Sequence, residues 1–259
     1  MTAIRQKNAQ QVALVTGGAR RLGRAIALGL AADGWDVVVH YGTSQADADA
    51  TVADIQAAGR RAAALQCDLA DADAAAALMG RANALLGPVS CLVNSASIFE
   101  FDDIAEFSPG LLDRHMRTNL CAPILLARAL HAATPDDGQA VVINLLDQKL
   151  FNLNPDFLSY TLSKAGLHCA TTMLAQALAP TVRVVGVAPG ITMVSGDQTG
   201  AGFDKAHTAT PLGRSSTPDD IAAAVCYAAR AGAVTGTTLL VDGGQHLMPS
   251  PRDIMFLAT

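Results

Sequence analysis

Nowhere does this chain of 259 residues carry an apolar run approaching the roughly 20 residues that a membrane span requires. Its opening stretch, MTAIRQKNAQQ, is polar and lacks the apolar centre of a secretory signal. Both absences point to a soluble, cytoplasmic protein with no membrane partner. A basic block is missing too, and the formal net charge is −5, which argues against nucleic acid or an anionic membrane surface as partner. Cys67, Cys91, Cys121, Cys169 and Cys226 are odd in number and widely scattered. No pair has ligand spacing, so buried free thiols in a reducing compartment are expected, and no metal site. His115, His131, His168, His207 and His246 share no motif spacing and read as structural or surface residues. With neither repeat nor linker, residues 1–259 are expected to form one domain.

What the chain does have is apolar material, 51% of its residues, arranged in a repeating order. Short β-branched runs (QVALVT from Gln11, WDVVVHYG from Trp35, RAAALQC, VSCLVNSAS, Val141–Ile143, TVRVVGVAPG from Thr181, TGTTLLVDGG) alternate with alanine-rich helical stretches. Helices are expected over 45–58, about 71–86, 110–133 and from Pro218, where Asp219 and Asp220 favour the N-terminus. Seven strands alternating with helices predict an α/β fold: a Rossmann-type, doubly wound parallel sheet with helices on both faces. Ligands in such sheets bind at the carboxyl ends of the strands.

Several residues at those ends invite chemistry. TGGARRLG, from Thr16 to Gly23, joins the first strand to the first helix. A glycine-rich turn there brings backbone N–H groups close to a pyrophosphate at the positive end of the helix, although strand–helix turns also carry glycine for steric reasons alone. Arg21 stands where the usual fingerprint has its middle glycine, adding positive charge at the mouth. After the second strand come His40, Tyr41, Gly42, Thr43 and Ser44. No carboxylate is there to repel a 2′-phosphate, and with Arg20 and Ser44 at hand NADPH is the expected cofactor; the alternative is that His40 and Tyr41 merely finish a strand. Asp68 ends the third strand, where its carboxylate can accept from an adenine amino group. Asn94, Ser95, Ala96 and Ser97 end the fourth with small polar side chains that suit a passing cofactor or any tight turn. Phe99, on the loop beyond, is either a core aromatic or a plate for a flat heterocycle. Pro123 cannot donate to the carbonyl of Asn119, leaving it for an ordered water near Lys164 or marking a simple kink. Tyr160 and Lys164 lie one helical turn apart on one face, where an ammonium lowers the phenol pKa from about 10 and readies it as a proton donor. The same spacing occurs in any amphipathic helix. Residues 192–216, rich in Gly, Thr and Ser, read as a lid loop over substrate, and 246–259 as a C-terminal tail.

Taken in order, TG-x5-G, Asp68-Leu69, Asn94-x-Ala96, Asn119, Tyr160-x3-Lys164, Pro189-Gly190 and VDGG resemble the short-chain dehydrogenase/reductase family from end to end. That resemblance implies hydride transfer from the nicotinamide, Tyr160 as proton donor, Lys164 gripping the nicotinamide ribose, and Asn119 shaping a water path. It carries Gly17, Leu22, Gly23, Leu69, Ala96, Pro189, Gly190 and Thr192 over as cofactor contacts, and a homotetramer as the assembly. Two departures stand out. A serine is usual 13 residues before the tyrosine, and here Asp147 occupies that position; Arg21 replaces the second glycine. Both look like the pteridine reductase branch. In that branch Phe99 would stack a pterin against the nicotinamide, Arg21 and Ser97 would contact pterin and cofactor phosphate, and Asp147 would work with Tyr160 in protonating a ring nitrogen. The expected activity is NADPH-dependent reduction of a dihydropteridine to a tetrahydropteridine, with folates as further candidates. Two alternatives stand beside it: a carbonyl or 3-oxoacyl reductase in which Asp147 is a tolerated substitution, and a non-catalytic dinucleotide sensor, which would typically have lost Tyr160 or Lys164. Arg252 in the tail is a candidate for reaching a neighbouring subunit's site.

Overall fold

Strands sandwiched between helix layers must be apolar on both sides, and the β-branched runs are. The computed structural model describes residues 11–194 and 200–257. Seven strands, β1 Val12–Thr16, β2 Asp36–Tyr41, β3 Ala62–Gln66, β4 Val89–Asn94, β5 Ala140–Leu145, β6 Val182–Pro189 and β7 Thr238–Val241, form one sheet in the order β3-β2-β1-β4-β5-β6-β7. Every neighbouring pair is parallel. The order reverses between β1 and β4, which opens a crevice beyond their carboxyl ends.

Alternation along β1 sorts the two core layers. Ala13 and Val15 pack with α1 (Arg21–Ala32), α2 (Gln45–Ala57) and α8 (Pro218–Arg230), whereas Val12 and Leu14 pack with α3 (Ala72–Leu86), α5 (Ala122–Ala133) and the end of α6 (Leu158–Ala177). Capping sets the helix starts: Asp71 accepts from Asp73 and Ala74 N–H ahead of α3, and Thr217 with Asp220 forms a reciprocal capping box ahead of α8. Among the described residues, no helix is long and apolar enough to cross a membrane.

Two expectations need correction, and a third gains detail. The helix expected over 110–133 runs without a break through α4 (Pro109–Met116), one π-helical turn over Arg117–Cys121, and α5. Pro123 has no N–H for the Asn119 carbonyl, and the backbone widens so that Ala122 N–H donates to Arg117, five residues back. Within the supposed lid loop, Gly200–Thr208 forms a helix, α7, whose Gly202 and Ala206 are buried; residues 195–199 lie outside the described residues. The small side chains that made this stretch look like a loop are what let α7 approach the body closely. Of the five thiols, Cys67, Cys91 and Cys226 are buried but Cys121 and Cys169 are exposed, since neither of those two falls on an inward face.

The turn after β1 tolerates no extra carbon. A Cβ at Gly23 would lie 2.1 Å from the Gly17 carbonyl oxygen, a backbone atom that cannot swing aside. Gly23→Ala is therefore expected to destabilise the protein by at least the roughly 1–3 kcal/mol typical of overpacking. Gly80→Ala, in the exposed part of α3 with nothing near its Cβ, is expected to add about 0.5–1 kcal/mol. Urea unfolding of the two variants checks both signs.

Candidate active site

The crevice is built by hydroxyl and amide groups that tie the strand ends together. Thr16 Oγ1, at the end of β1, accepts from Ser95 N–H (3.0 Å) and Ala96 N–H (3.1 Å), holding the loop after β4 beside the glycine turn. Gly17 has φ +64° and passes so close that a Cβ there would lie 2.9 Å from Ala96 Cα. Arg21 follows at φ +52°, an uncommon conformation for a residue with a side chain, and its guanidinium donates to the Val194 carbonyl at 2.7 Å. Arg20, Arg21, Leu22, Gly23, Tyr41, Ser44, Ala96, Ser97, Tyr160, Lys164 and Pro189 line one continuous groove with Gly17. Arg20 pairs with Asp47 at 3.6 Å, in the first turn of α2. Both side chains are more than half exposed, so the pair is a weak, solvent-screened one.

His40 does not join them. Counted in twos from core residue Val38, it points into the sheet, and its ring is buried. Gly17 N–H donates to Nδ1 at 3.0 Å, and Nε2 lies 3.1 Å from the Cys67 carbonyl as the donor, so the imidazole is neutral and braces the glycine turn from behind. Burial pushes its pKa down to about 4. Asp68 is exposed and accepts from Ala70 N–H at 2.9 Å, and the Leu69 side chain packs into the core; neither side chain lines the groove. Asn94 is buried, donating to Asn144 Oδ1 at 2.8 Å, while its own Oδ1 has no partner among the described residues. Asn119, in the π-helical turn, grips the backbone of Ile98 through both amide atoms and donates to Ser163 Oγ at 3.0 Å. Its side chain thus positions the loop that carries Phe99.

Tyr160 and Asp147 meet on the substrate side. The phenol donates to Asp147 Oδ2 at 2.9 Å, and Lys149 N–H donates to Asp147 Oδ1 at 2.8 Å. Asp147 caps a single 3₁₀ turn, Gln148–Phe151, that follows β5 and faces the first turns of α6. Lys164, buried on α6, donates to the Leu145 carbonyl at 2.8 Å and lies 5.8 Å from the centre of the Tyr160 ring. The expected lowering of the tyrosine pKa is reversed here. Burial, then the charge and hydrogen bond of Asp147, drive it well above its ordinary value. Burial also raises the Asp147 carboxyl, against the Lys149 N–H and Tyr160 bonds that lower it, and pushes the Lys164 ammonium down to about 8. The phenol is accordingly held protonated, as a donor must be.

Phe99 is 41% exposed, with one side open to the cavity; it stacks on Phe157 (4.3 Å, 18°) and meets Tyr160 edge-on at 4.8 Å. Ser97, Gly190, Thr192 and Arg21 line the same cavity, whose volume is about 380 Å³. The sequence reading missed Phe157, a residue at φ +54° that begins α6, as well as Lys149 and Asp253, which also line or brace this cavity. No local pattern marks them, although Lys149 falls two residues from Asp147. Arg252, the candidate for reaching a neighbouring subunit's site, forks onto Asp156 of its own chain.

Because His40 is held neutral with a pKa of about 4 against 6.5 when unfolded, the unfolded chain binds more protons between those values. Stability from this site is complete above pH 6.5 and is lost as pH falls toward 4, up to about 3 kcal/mol at 1.36 kcal/mol per unit. Denaturation midpoints at pH 7.5 and 4.5 should differ less in His40→Asn than in the wild type; an equal difference would exclude the imidazole as its source.

Comparison with known proteins agrees with this geometry. The family described as short chain dehydrogenase matches residues 11–200. An uncharacterized oxidoreductase of Methylorubrum extorquens is 36% identical over 242 residues, covering 90% of this chain and 97% of that protein. The 3-oxoacyl-[acyl-carrier-protein] reductase FabG of Staphylococcus aureus is 34% identical over 245 residues, covering 91% and 98%. Among solved structures, FolM alternative dihydrofolate reductase 1 from Brucella canis, complexed with NADP, superposes with a TM-score of 0.87 at 38% identity, over 94% of this chain and 97% of that one. With a family match over residues 11–200 and relatives at 34–38% identity along 90% or more of its length, the chain belongs to the short chain dehydrogenase family.

Proposed function

We propose that the protein is an NADPH-dependent reductase of a dihydropterin, and the observation that carries this reading is the hydrogen bond between Tyr160 and Asp147 in a cavity walled by Phe99. The groove fits the cofactor. Gly17 and Gly23 leave the turn bare of side chains where a pyrophosphate would approach the first turn of α1. Arg20 and Ser44, whose hydroxyl makes no capping bond to α2, lie where a 2′-phosphate would sit. Lys164 and Tyr160 line the same groove, and on this reading they face the nicotinamide and its ribose. NADP is also the ligand of the Brucella FolM structure. When bound, NADPH supplies the hydride.

The chain's own residues supply the rest. A neutral ketone asks only for hydroxyl donors, which the usual serine and tyrosine provide. Reducing a C=N bond in an aminopterin requires a proton on nitrogen and an acceptor for the ring's N–H donors, and a carboxyl with a raised pKa can act in both capacities. Tyr160, kept protonated by its burial and by Asp147, is the immediate donor to the ring nitrogen, and Asp147 re-supplies the phenol. The open side of Phe99 offers a flat plate on which a bicyclic ring stacks. Arg21 and Ser97 stand at the rim, between the cofactor groove and this plate. A second reading, a 3-oxoacyl reductase, is favoured by the FabG relatives. It assigns no task to the Asp147 carboxyl.

Steady-state turnover of NADPH with dihydrobiopterin, dihydromonapterin, dihydrofolate and a 3-oxoacyl thioester separates the readings. Asp147→Ser is expected to lower kcat/KM for the dihydropterins by roughly 10²-fold or more, the contribution typical of a proton-transfer group. It should leave or improve the thioester activity. In the wild type the pterin rate should climb as pH falls toward the raised carboxyl pKa, because the protonated fraction grows, and the serine variant should lack that rise. Unchanged pterin turnover in Asp147→Ser would remove the carboxyl from the mechanism, and no NADPH consumption with any substrate would favour a sensor.

A further inference from the structure

The helix that carries Tyr160 begins without a cap of its own. Phe157, the residue before its first turn, stands at φ +54° and makes no side-chain bond to the helix. The first N–H groups of a helix have no partner within it, and buried ones must find one elsewhere. At α6 they find it on the loop after β4. Asp102 accepts from Leu158 N–H through its backbone carbonyl at 3.1 Å and from Ser159 N–H through Oδ1 at 2.9 Å. Its Oδ2 accepts from the Ser159 hydroxyl as well. Asp102 and Ser159 are both fully buried, and a carboxylate at this end of a 20-residue helix also meets the positive end of the helix dipole.

The same loop carries the aromatic plate. Asn119 grips Ile98, and Glu100 N–H donates to His115 Nε2 at 3.4 Å, so Phe99 stands between two ties to α4 and the π-helical turn. Phe101 stands between the second tie and Asp102. Among the described residues, the hydrogen bonds between this loop and α6 all pass through Asp102. What else joins them is ring contact: Phe99 on Phe157 at 4.3 Å and Tyr160 at 4.8 Å, and Phe101 on Phe157 at 5.2 Å. Aromatic pairs are attractive over a range of offsets and tolerate sliding, whereas hydrogen bonds to two successive residues fix rotation and register.

We propose that Asp102 is a positioning residue: by capping α6 from the loop after β4, it sets where the Phe99 plate stands relative to the Tyr160 hydroxyl. The value of that spacing for turnover rests on the dihydropterin reading; the placement of Tyr160 by Asp102 does not.

The first test needs no substrate. The chain has three tyrosines, Tyr41, Tyr160 and Tyr227, so the full-length protein labelled with 3-fluorotyrosine can be followed by fluorine NMR, with Tyr160→Phe identifying the signal. In Asp102→Ala the Tyr160 resonance should shift or broaden while those of Tyr41 and Tyr227 stay in place and report an intact fold. Asp102→Asn keeps an acceptor for Ser159 N–H and a partner for its hydroxyl, and should return the resonance close to its wild-type position. In turnover, Asp102→Ala is expected to lower kcat/KM for dihydrobiopterin by about 10- to 100-fold per NADPH-binding molecule, the cost that a displacement of roughly 1 Å can carry. The loss should divide between a raised KM, as the plate moves, and a lowered kcat, as the hydroxyl does; the asparagine variant should recover most of it. A Tyr160 resonance that stays put in folded Asp102→Ala overturns the proposal. So does an asparagine variant displaced as far as the alanine one, which would make charge the agent. Reduction of acetoacetyl thioester without any of dihydrobiopterin would overturn the pterin reading and leave the resonance to judge Asp102. If Asp102→Ala fails to fold, Ser159→Ala, which removes the hydroxyl bond alone, takes its place: a smaller displacement of the Tyr160 signal supports the contact, and none overturns it.

Discussion

A phenol and a carboxyl share one hydrogen bond at the edge of a buried sheet, and much of the site is arranged to make that contact hold. Tyr160 alone, burdened by burial, would be a poor acid at neutral pH. Asp147 raises its pKa further through its charge and the hydrogen bond it accepts from the phenol. The carboxyl stays in place because its second oxygen caps a 3₁₀ turn through Lys149 N–H. Lys164, drawn to the Leu145 carbonyl, lies beneath the ring instead of at the phenol oxygen.

The parts that hold this corner come from distant stretches of chain. Asn119 bonds the Ile98 backbone through both amide atoms because a proline four residues later forced a π-helical turn beneath it. Asp102 accepts from the backbone and hydroxyl of Ser159, fixing the start of α6 one residue before Tyr160. His40 braces the glycine turn from inside the sheet. Each of these is a buried polar group with satisfied partners, the arrangement that gives a site one geometry.

The substrate side is built differently, from rings and ion pairs. Phe99 leans on Phe157, Phe157 on Phe101 and Phe256, and the tail bearing Phe256 is clamped by Asp156. Asp253, Ile254 and Met255, from the last residues of the chain, line the same cavity as Phe99 and Asp147.

The sheet, its parallel order and the cofactor edge were legible in the sequence, because β-branched runs, glycine turns and alanine-rich helices are local properties with fixed periods. So was the pairing of Tyr160 with Lys164, since four residues on a helix always share a face, and the oddity of Asp147 was visible by spacing alone. Which way charge moves the tyrosine was not legible: the nearest group to the phenol oxygen is set by how β5 meets α6, and that placed a carboxylate closer than the ammonium. The inward turn of His40, the π-helical turn at Asn119, the helix inside 192–216 and the docking of Arg252 on Asp156 likewise depend on partners from about 20 to nearly 100 residues away or on space left by neighbouring elements. A sequence specifies local periodicity and chemistry; only the packed structure decides which charges and rings become neighbours, because burial and distance exist only after the chain has folded.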